Sequence, residues 1–279
     1  MQWIALDGQV IVPASTAIKQ RDYLCPECLS PVRLRAGFHR QRHFYHLRAS
    51  FSCKQHQKTF EHLQAQLLLA RLGKEQGARI EQPFPEIQRI ADIALWDKRI
   101  AIEIQVSPIS LEEVQARLQD YHSIGWRMVW ILHERSFNRK SVSPAEHYLR
   151  THAICYFTNL TRHGTGFFYD QFELLRDGTR YFKGHKLPVI PYKLALIPKG
   201  DLFKDAPQCI RVRGTSWAFF AHGDLFSCWL KDRDAFGQQL LFLEKTIFPF
   251  EKKLRLSQMF LQFYSRAIKK GALRFARKD

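Results

Sequence analysis

Two carboxylates and one amide occur close together in residues 89–106, in a pattern typical of paired strands. In the second half of this segment isoleucine or valine alternates with polar or small residues. This period of two predicts a strand on which Glu103 and Gln105 project from one face. A turn is expected at residues 97–98, so the strand that carries Asp92 can fold back antiparallel. We therefore expect Asp92 and Glu103 to meet across the strand pair.

Two converging carboxylates suit Mg²⁺ or Mn²⁺, which are hard cations that prefer oxygen ligands. Such a cation can hold a phosphate oxygen and a water together, as the hydrolysis of a phosphodiester requires. The alternative is that Glu103 and Gln105 form only the solvated face of a half-buried strand. That is the usual place of polar residues that alternate with isoleucine.

The residues that follow favour the catalytic interpretation. Ser107 and Pro108 end the strand, residues 111–123 predict an amphipathic helix, and residues 128–132 predict a buried strand. In this β-β-α-β unit, the Glu103 strand and the second buried strand should be parallel neighbours, with the helix covering one face. Carboxylates in such a core need a function or a partner.

A helix is expected upstream, over residues 59–72, where apolar residues recur at helical spacing. Glu61 and His62 lie near its start, and Glu61 is a candidate for a third acid of the site. The alternative is that Glu61 is an ordinary acid in a first helical turn, where the helix dipole favours negative charge.

Several motifs follow one another in order along the first half of the chain. They are Glu61-His62, Arg89-x-Ala91-Asp92, Ile100-Ala-Ile-Glu103-Ile-Gln105-x-Ser107-x-Ile109-Ser110, Arg117-x-x-x-Tyr121 and Val129-Trp-Ile-Leu132. In this order they resemble the competence protein CoiA family, over roughly residues 23–132. The ordered series is far more specific than any single motif.

The resemblance implies an α/β (α+β) fold with a restriction-endonuclease-like core of the PD-(D/E)XK type. It implies that Asp92 and Glu103 bind Mg²⁺ or Mn²⁺, that Gln105 orients the attacking water, and that Glu61 assists through the metal or its water. The implied activity is that of a deoxyribonuclease, with Glu61, Asp92, Glu103 and Gln105 as the catalytic residues.

The chain departs from the expected pattern at two positions. Gln105 stands where the superfamily commonly has lysine, although the family resembled tends to carry glutamine there. Gln66 stands where the family's helix motif tends to have lysine. Two positive charges are thus absent, since an amide orients water but does not neutralise charge. Arg89 and Arg117 are the nearest basic residues of the series, but they are equally interpreted as surface or DNA-facing charges.

A second group of residues has the spacing of a zinc site. Its members are Cys25, Cys28, His43 and His46, a C-x-x-C pair followed by an H-x-x-H pair. Such ligands can close a tetrahedral site, and a metal would supply much of the folding free energy of this short segment. Cys53 and His56 lie close enough in sequence to replace one of the histidines.

Two other interpretations of the cysteine and histidine pairs remain open. The C-x-x-C pair is a possible redox motif, although such a pair usually precedes a helix of a thioredoxin-like unit. The histidines are alternatively DNA-facing residues of a basic loop. A cysteine and histidine segment ahead of the nuclease core is also what the resemblance implies, so we predict structural zinc.

Composition indicates a globular chain of one to three domains. We predict a zinc-binding domain at 1–58, a nuclease-like domain at 59–155 and a basic, aromatic-rich C-terminal domain of unknown role at 156–279. Residues 153–246 favour strands and loops over long helices. The sequence shows no signal-peptide pattern and no apolar stretch long enough to span a membrane. Isolated cysteines outside the zinc motif suit a reducing compartment, so we expect a cytoplasmic protein.

The formal net charge of +17 indicates a polyanionic partner, and DNA is the natural candidate. One concentration of charge surrounds the predicted zinc ligands: Arg33, Arg35, Arg40, Arg42 and Arg48. Aromatic residues lie between these arginines, either to stack unpaired bases or to form the small core around zinc. A second concentration at residues 252–278 predicts a basic amphipathic helix that contacts DNA, an acidic partner or lipid, or packs against the body of the protein.

These observations leave three functions open. The first is a metal-dependent DNA nuclease of natural competence, acting on internalised single strands or recombination intermediates. The second is a catalytically weak DNA-binding accessory that promotes recombination through contact with a recombinase. The third is a restriction-type defence nuclease, which would need an element that reads a duplex sequence.

Overall fold

A computed structural model of the chain describes residues 2–38, 40–48, 53, 58–190, 194–197, 203, 205–214, 218–220 and 223–247. These residues form a mixed α+β fold with a small N-terminal sheet, a large mixed sheet covered by helices, and a C-terminal part with further helices. The predicted α/β (α+β) class is confirmed.

The N-terminal sheet has five strands in the order β2-β1-β3-β4-β5. They are β1 Ile4–Asp7, β2 Val10–Pro13, β3 Asp22–Leu24, β4 Pro31–Gly37 and β5 Arg40–His46. Main-chain hydrogen bonds in both directions between Gln2 and Phe44 also join the start of the chain to β5. The core of this part is small and is built around Tyr23, Val32 and Phe44.

The large sheet has seven strands in the order β12-β11-β10-β9-β8-β7-β6. They are β6 Ala78–Phe84, β7 Arg89–Leu95, β8 Ile100–Gln105, β9 Arg127–His133, β10 Ile154–Thr158, β11 Phe168–Arg176 and β12 Thr179–Pro188. The pairs β8–β9 and β9–β10 are parallel, and the other neighbours are antiparallel. The predicted antiparallel pair β7–β8 and the predicted parallel neighbours β8 and β9 are therefore both present.

Helices cover both faces of this sheet. They are α1 Phe60–Leu72, α2 Leu111–Ser123 and α3 Pro144–His152. Leu69 of α1 packs in one apolar cluster with Ile93 and Ile102, whereas Val114 of α2 packs in another with Ala94. Because both faces are covered, the central strands are buried almost completely.

Local sequence explains where these elements begin and turn. Ser110 caps α2 because its side-chain oxygen accepts the N–H of Glu113, and Thr59 caps α1 through the N–H of His62. Between β7 and β8 the chain makes a 3₁₀ turn over Trp96–Lys98. The turn is thus as predicted, and the helix bounds agree with the sequence pattern.

The C-terminal part corrects two expectations. The large sheet continues through β11 and β12, so the predicted boundary at residue 155 falls inside β10. Strands are present over much of residues 153–246, as expected, but helices follow them, and the last has 15 residues. Its Leu240 and Leu243 join an apolar cluster with Trp229. The elements are β13 Leu194–Leu196, α4 Gln208–Gly214, β14 Ala218–Phe220, α5 Leu225–Lys231 and α6 Arg233–Ile247. The basic segment 252–278 lies outside the described residues.

A membrane-spanning helix is absent from the part of the chain that the structure describes, since none of its helices is both long and apolar enough.

Candidate functional site

The N-terminal sheet gathers four potential metal ligands at one point. They are Cys25, Cys28, His46 and Cys53. Their ligand atoms all lie within 4.8 Å of one another, and Cys25 Sγ is 3.6 Å from Cys53 Sγ. Three sulfurs and one imidazole nitrogen suit tetrahedral Zn²⁺. The cluster can therefore hold a metal ion such as zinc.

A tight turn after β3 positions the first two cysteines. The N–H of Leu29 donates to the carbonyl of Cys25 at 2.9 Å, and the N–H of Cys25 donates to the carbonyl of Ser30 at 2.9 Å. Leu29 adopts a φ of 57°, which turns the chain back into β4. Cys28 Sγ then lies 3.3 Å from Nε2 of His46, which is delivered by β5.

The structure corrects one of the predicted zinc ligands, because Cys53 rather than His43 completes the cluster. His43 and His46 lie three residues apart on β5, and side chains alternate between the two faces of a strand. The two histidines therefore point to opposite faces and cannot reach one ion. The ring of His43 is buried against Phe60, with ring centroids 6.0 Å apart. His56, the other alternative, lies outside the described residues.

Cys25 and Cys53 are joined by a hydrogen bond between their sulfur atoms. The hydrogen bond with Cys53 lowers the pKa of Cys25 to about 5, against the opposing effect of burial. The same hydrogen bond, followed by burial, raises the pKa of Cys53. This hydrogen bond therefore favours the thiolate of Cys25, which is the form of cysteine that binds zinc.

Asp92 lies where β7 and β8 separate. The ladder between these strands pairs Ile93 with Ile102, and beyond that pair the Oδ2 atom of Asp92 accepts the N–H of Ile104 at 2.8 Å. The same register places Asp92 beside Glu103 of β8. Both acids are only 3% exposed. The structure thus brings together the two acids that the sequence pattern paired.

Three side-chain donors converge on the other oxygen of Asp92. Its Oδ1 atom lies 2.9 Å from Nε2 of His62, 3.0 Å from Nε2 of Gln66 and 3.0 Å from Nζ of Lys58. His62 and Gln66 are four residues apart on α1 and so share one face of the helix. Burial raises the pKa of Asp92, but the charges of His62 and Lys58 lower it more, so the net pKa falls well below the usual value.

Lys58 connects Asp92 to a further buried acid, Glu81 of β6. Its Nζ atom lies 2.9 Å from Oε1 of Glu81. The Oε2 atom of Glu81 accepts the N–H groups of Trp3 and Ile4 at 2.8 and 3.0 Å. Burial lowers the pKa of Lys58, but Glu81 and Asp92 raise it more, so Lys58 remains an ammonium ion. The N-terminal sheet is thereby linked to the acid pair.

Glu103 is held from the opposite face of the sheet, by α2. Nη1 of Arg117 donates to its Oε2 at 2.7 Å, and the Tyr121 hydroxyl donates to its Oε1 at 3.3 Å. Burial raises the pKa of Glu103 to about 7; Arg117 opposes this change, and the charge of Asp92 adds to it. Near neutral pH, Glu103 is therefore poised between its protonated and ionised forms.

The other two predicted catalytic residues occupy different surroundings. Gln105 lines the cleft beside Glu103, and its Nε2 donates to the carbonyl of Ser107 at 2.7 Å, which leaves Oε1 as an acceptor for water. Glu61 instead lies 3.7 Å from Nη1 of Arg135 and is not among the residues that line the cleft. Successive residues of a helix point about 100° apart. This rotation brings His62, rather than Glu61, to the acid pair.

The two arginines of the motif series are engaged by acids. Arg89 forms ion pairs of 2.8 Å with Glu113 and 2.7 Å with Asp120. Arg117 contacts Glu113 in addition to Glu103. Both arginines therefore contribute positive charge on the Glu103 side of the cleft.

The acid pair opens into a cleft with a volume of about 360 Å³. Besides the two acids, its polar lining consists of Glu27, Lys58, Thr59, His62, Gln88, Arg89, Gln105, Ser107, Glu113 and Arg117. Glu27 belongs to the turn that holds Cys25 and Cys28, and its Oε2 lies 3.6 Å from Cys53 Sγ. The metal-binding turn therefore forms one wall of the cleft.

The donor atoms of the acid pair fit a hard divalent cation. Each carboxylate oxygen has two lone pairs. Oδ2 of Asp92 accepts one hydrogen bond, and each Glu103 oxygen also accepts one. Three oxygen atoms thus retain a lone pair each, and oxygen ligands are those that Mg²⁺ and Mn²⁺ prefer.

Sequence reasoning missed part of this site. Lys58 and Glu81 were not singled out, because only the fold brings them to Asp92. For Gln66 a signal was present: polar His62 and Gln66 stand four residues apart, between apolar residues of the helix, and both are buried. Such a pair indicates a shared partner inside the protein.

Comparison with family models gave two matches. Residues 58–173 match the model described as competence protein CoiA, nuclease-like domain, and residues 13–56 match competence protein CoiA, N-terminal domain. The two models together cover more than half of the chain. The acid pair lies in the first match, and the four metal-ligand candidates lie in the second. No curated protein and no solved structure matched the chain.

Proposed function

Because the chain belongs to the competence protein CoiA family, we propose that it is a metal-dependent deoxyribonuclease that processes DNA in natural competence. The observation that carries this proposal is the buried pair Asp92 and Glu103, which opens into a cleft lined by Lys58 and Arg117. Burial of two acids side by side costs free energy, which a bound cation can offset. Acids in such surroundings are typical of functional sites.

In the proposed reaction, Asp92 and Glu103 would hold Mg²⁺ or Mn²⁺ through the oxygen atoms that still have lone pairs. The bound cation would supply positive charge for the phosphate and lower the pKa of a water. Oε1 of Gln105 accepts a hydrogen bond from the attacking water and orients it. His62 and Gln66 hold the Asp92 carboxylate, while Tyr121 holds that of Glu103. No covalent intermediate is needed.

The proposed substrate is DNA, either internalised single strands or recombination intermediates. The net charge of +17 favours a polyanion. Near the metal-ligand cluster, the guanidinium of Arg35 lies 4.2 Å from the centre of the Tyr45 ring, an arrangement that suits contact with both phosphates and bases. The free thiols of Cys25, Cys28 and Cys53 suit zinc binding in a reducing compartment, so we place the reaction in the cytoplasm.

A second candidate function is favoured by two departures from the expected site. Gln105 replaces the usual lysine, and Glu61 is paired with Arg135 away from the acid pair. A site with these departures is compatible with a slow nuclease that acts mainly as a DNA-binding accessory and promotes recombination with a recombinase.

Incubation of the purified protein with labelled single-stranded and duplex DNA tests the proposal. Mg²⁺, Mn²⁺ and a chelator are compared, with Glu103→Ala alongside. Metal-dependent cleavage that Glu103→Ala abolishes is the expected result. Tight DNA binding without cleavage by either protein would instead favour the recombination accessory, and cleavage retained by Glu103→Ala would place catalysis elsewhere.

A further inference from the structure

Lys58 has surroundings that a purely structural lysine does not need. Its side chain is only 7% exposed, yet it lines the cleft beside Asp92. Burial of an ion pair is often no better for stability than an apolar contact of the same volume. The placement of Lys58 against Asp92 and Glu81 therefore indicates a role in the cleft.

The hydrogen bonds of Lys58 leave part of its capacity unused. An ammonium group has three N–H donors. Glu81 and Asp92 each take one, at 2.9 and 3.0 Å. Among the described residues no third acceptor contacts this group, so one N–H remains for a group that enters the cleft.

The distribution of charge shows what that group would be. Arg89 and Arg117 contact Glu113 and so lie on the Glu103 side, whereas Lys58 and His62 contact Asp92. Among the described residues, Lys58 is the only lysine that lines the cleft. A phosphate oxygen that approaches the Asp92 side would meet this ammonium group first.

We propose that Lys58 binds a backbone phosphate of the DNA strand in the cleft and supplies the positive charge that Gln105 does not. This inference rests on the proposed DNA-processing function. In this proposal Lys58, just ahead of α1, takes the place of the lysine that is absent from position 105. Glu81 pairs with the same ammonium group, and its other oxygen accepts the N–H of Trp3 from the N-terminal sheet.

The salt dependence of DNA binding tests the proposal. A plot of log K against log salt has a negative slope, and each phosphate that the protein no longer neutralises reduces the magnitude of this slope by about 0.7 on single strands. Binding of a labelled single-stranded oligonucleotide is measured without divalent cations for wild type, Lys58→Gln and Lys58→Arg. We expect the magnitude of the slope to fall by about 0.7 in Lys58→Gln. It should be unchanged in Lys58→Arg, which retains a cation.

Glu81→Gln is the matched structural control, because it breaks the same ion pair but keeps the cation. Lys98→Gln is a second control, since Lys98 lies in the turn between β7 and β8. Both should keep the wild-type slope. If Lys58→Gln folds poorly, the double variant Lys58→Gln/Glu81→Gln removes both buried charges together. The magnitude of its slope should be about 0.7 smaller than that of Glu81→Gln.

An unchanged slope in Lys58→Gln or in the double variant, or an equal fall in Glu81→Gln, would overturn the proposal. Absence of DNA binding by the wild type would overturn it as well. Single-turnover cleavage by the same proteins separates this result from the nuclease proposal. If wild type binds with the predicted slopes but never cleaves, the nuclease function fails while the phosphate contact of Lys58 stands.

Discussion

Replacement of Glu103 by glutamine should make the protein more stable at alkaline pH while removing the proposed catalytic acid. The introduced amide would keep one oxygen that accepts the hydrogen bond from Arg117, and its NH2 group would donate to the hydroxyl oxygen of Tyr121. Arg117 would also keep its ion pair with Glu113. The variant thus removes the charge of Glu103 with little change in shape.

The magnitude follows from the pKa of Glu103, which burial raises from 4.5 to about 7. The folded protein holds this proton up to about pH 7, whereas the unfolded chain releases it near pH 4.5. Wild type therefore loses stability as pH rises between these values. One pKa unit corresponds to about 1.4 kcal/mol, so above pH 7 the ionised Glu103 costs about 3 kcal/mol, which glutamine avoids.

Urea unfolding of both proteins at pH 5 and pH 8, with zinc retained and no added divalent cation, measures this difference. We expect a small gap at pH 5 and a variant more stable by about 3 kcal/mol at pH 8. Glu86→Gln is the control, since Glu86 is exposed and its replacement should change stability by less than about 0.5 kcal/mol. A Glu103→Gln variant that is less stable at pH 8, or a gap that does not change with pH, would refute the reasoning.

Three further predictions concern single residues. Cys53→Ser should lose bound zinc by elemental analysis whereas His43→Ala retains it, and the reverse result would restore His43 as a ligand. Asp92→Ala should abolish cleavage but leave DNA affinity nearly unchanged in a binding titration, because affinity comes from basic contacts with phosphate; equal loss of both would contradict this division. Glu61→Ala should cleave at close to the wild-type rate in a single-turnover assay, since Glu61 contacts Arg135, and a large loss of rate would return Glu61 to the catalytic set.

Elements with strong local patterns were predictable from the sequence. The alternation around Glu103 identified β8, and the helical spacing of apolar residues identified α2 to the residue. Because parallel strands need a crossover, the order of these elements also predicted the parallel pairing of β8 with β9. These inferences depend on neighbours in sequence or on one short connection.

The errors have equally local causes. The H-x-x-H motif was interpreted by spacing alone, although on a strand the spacing separates His43 and His46 onto opposite faces. On α1, apolar spacing alone would bury Phe60. This residue is 41% exposed because buried His62 and Gln66 turn the helix toward Asp92. Polar residues thus set the rotation of this helix.

Contacts that join distant segments had no sequence signal. Lys58 reaches Glu81 and Asp92 only after the N-terminal sheet has packed against β6. In the same way, the hydroxyl of Tyr156 donates to Asp224 at 2.7 Å and ties α5 to the large sheet. Single-sequence patterns describe elements, whereas these contacts depend on how the elements pack.

The central claim is that Asp92 and Glu103 bind a divalent cation in the cleft, and a titration of the zinc-loaded protein with Mn²⁺, followed by electron paramagnetic resonance, tests it most directly. Wild type should bind Mn²⁺ in competition with Mg²⁺, and both Asp92→Asn and Glu103→Gln should lose this binding while Glu86→Gln keeps it. Wild-type protein that binds no Mn²⁺, or variants that bind it as tightly as wild type, would contradict the account.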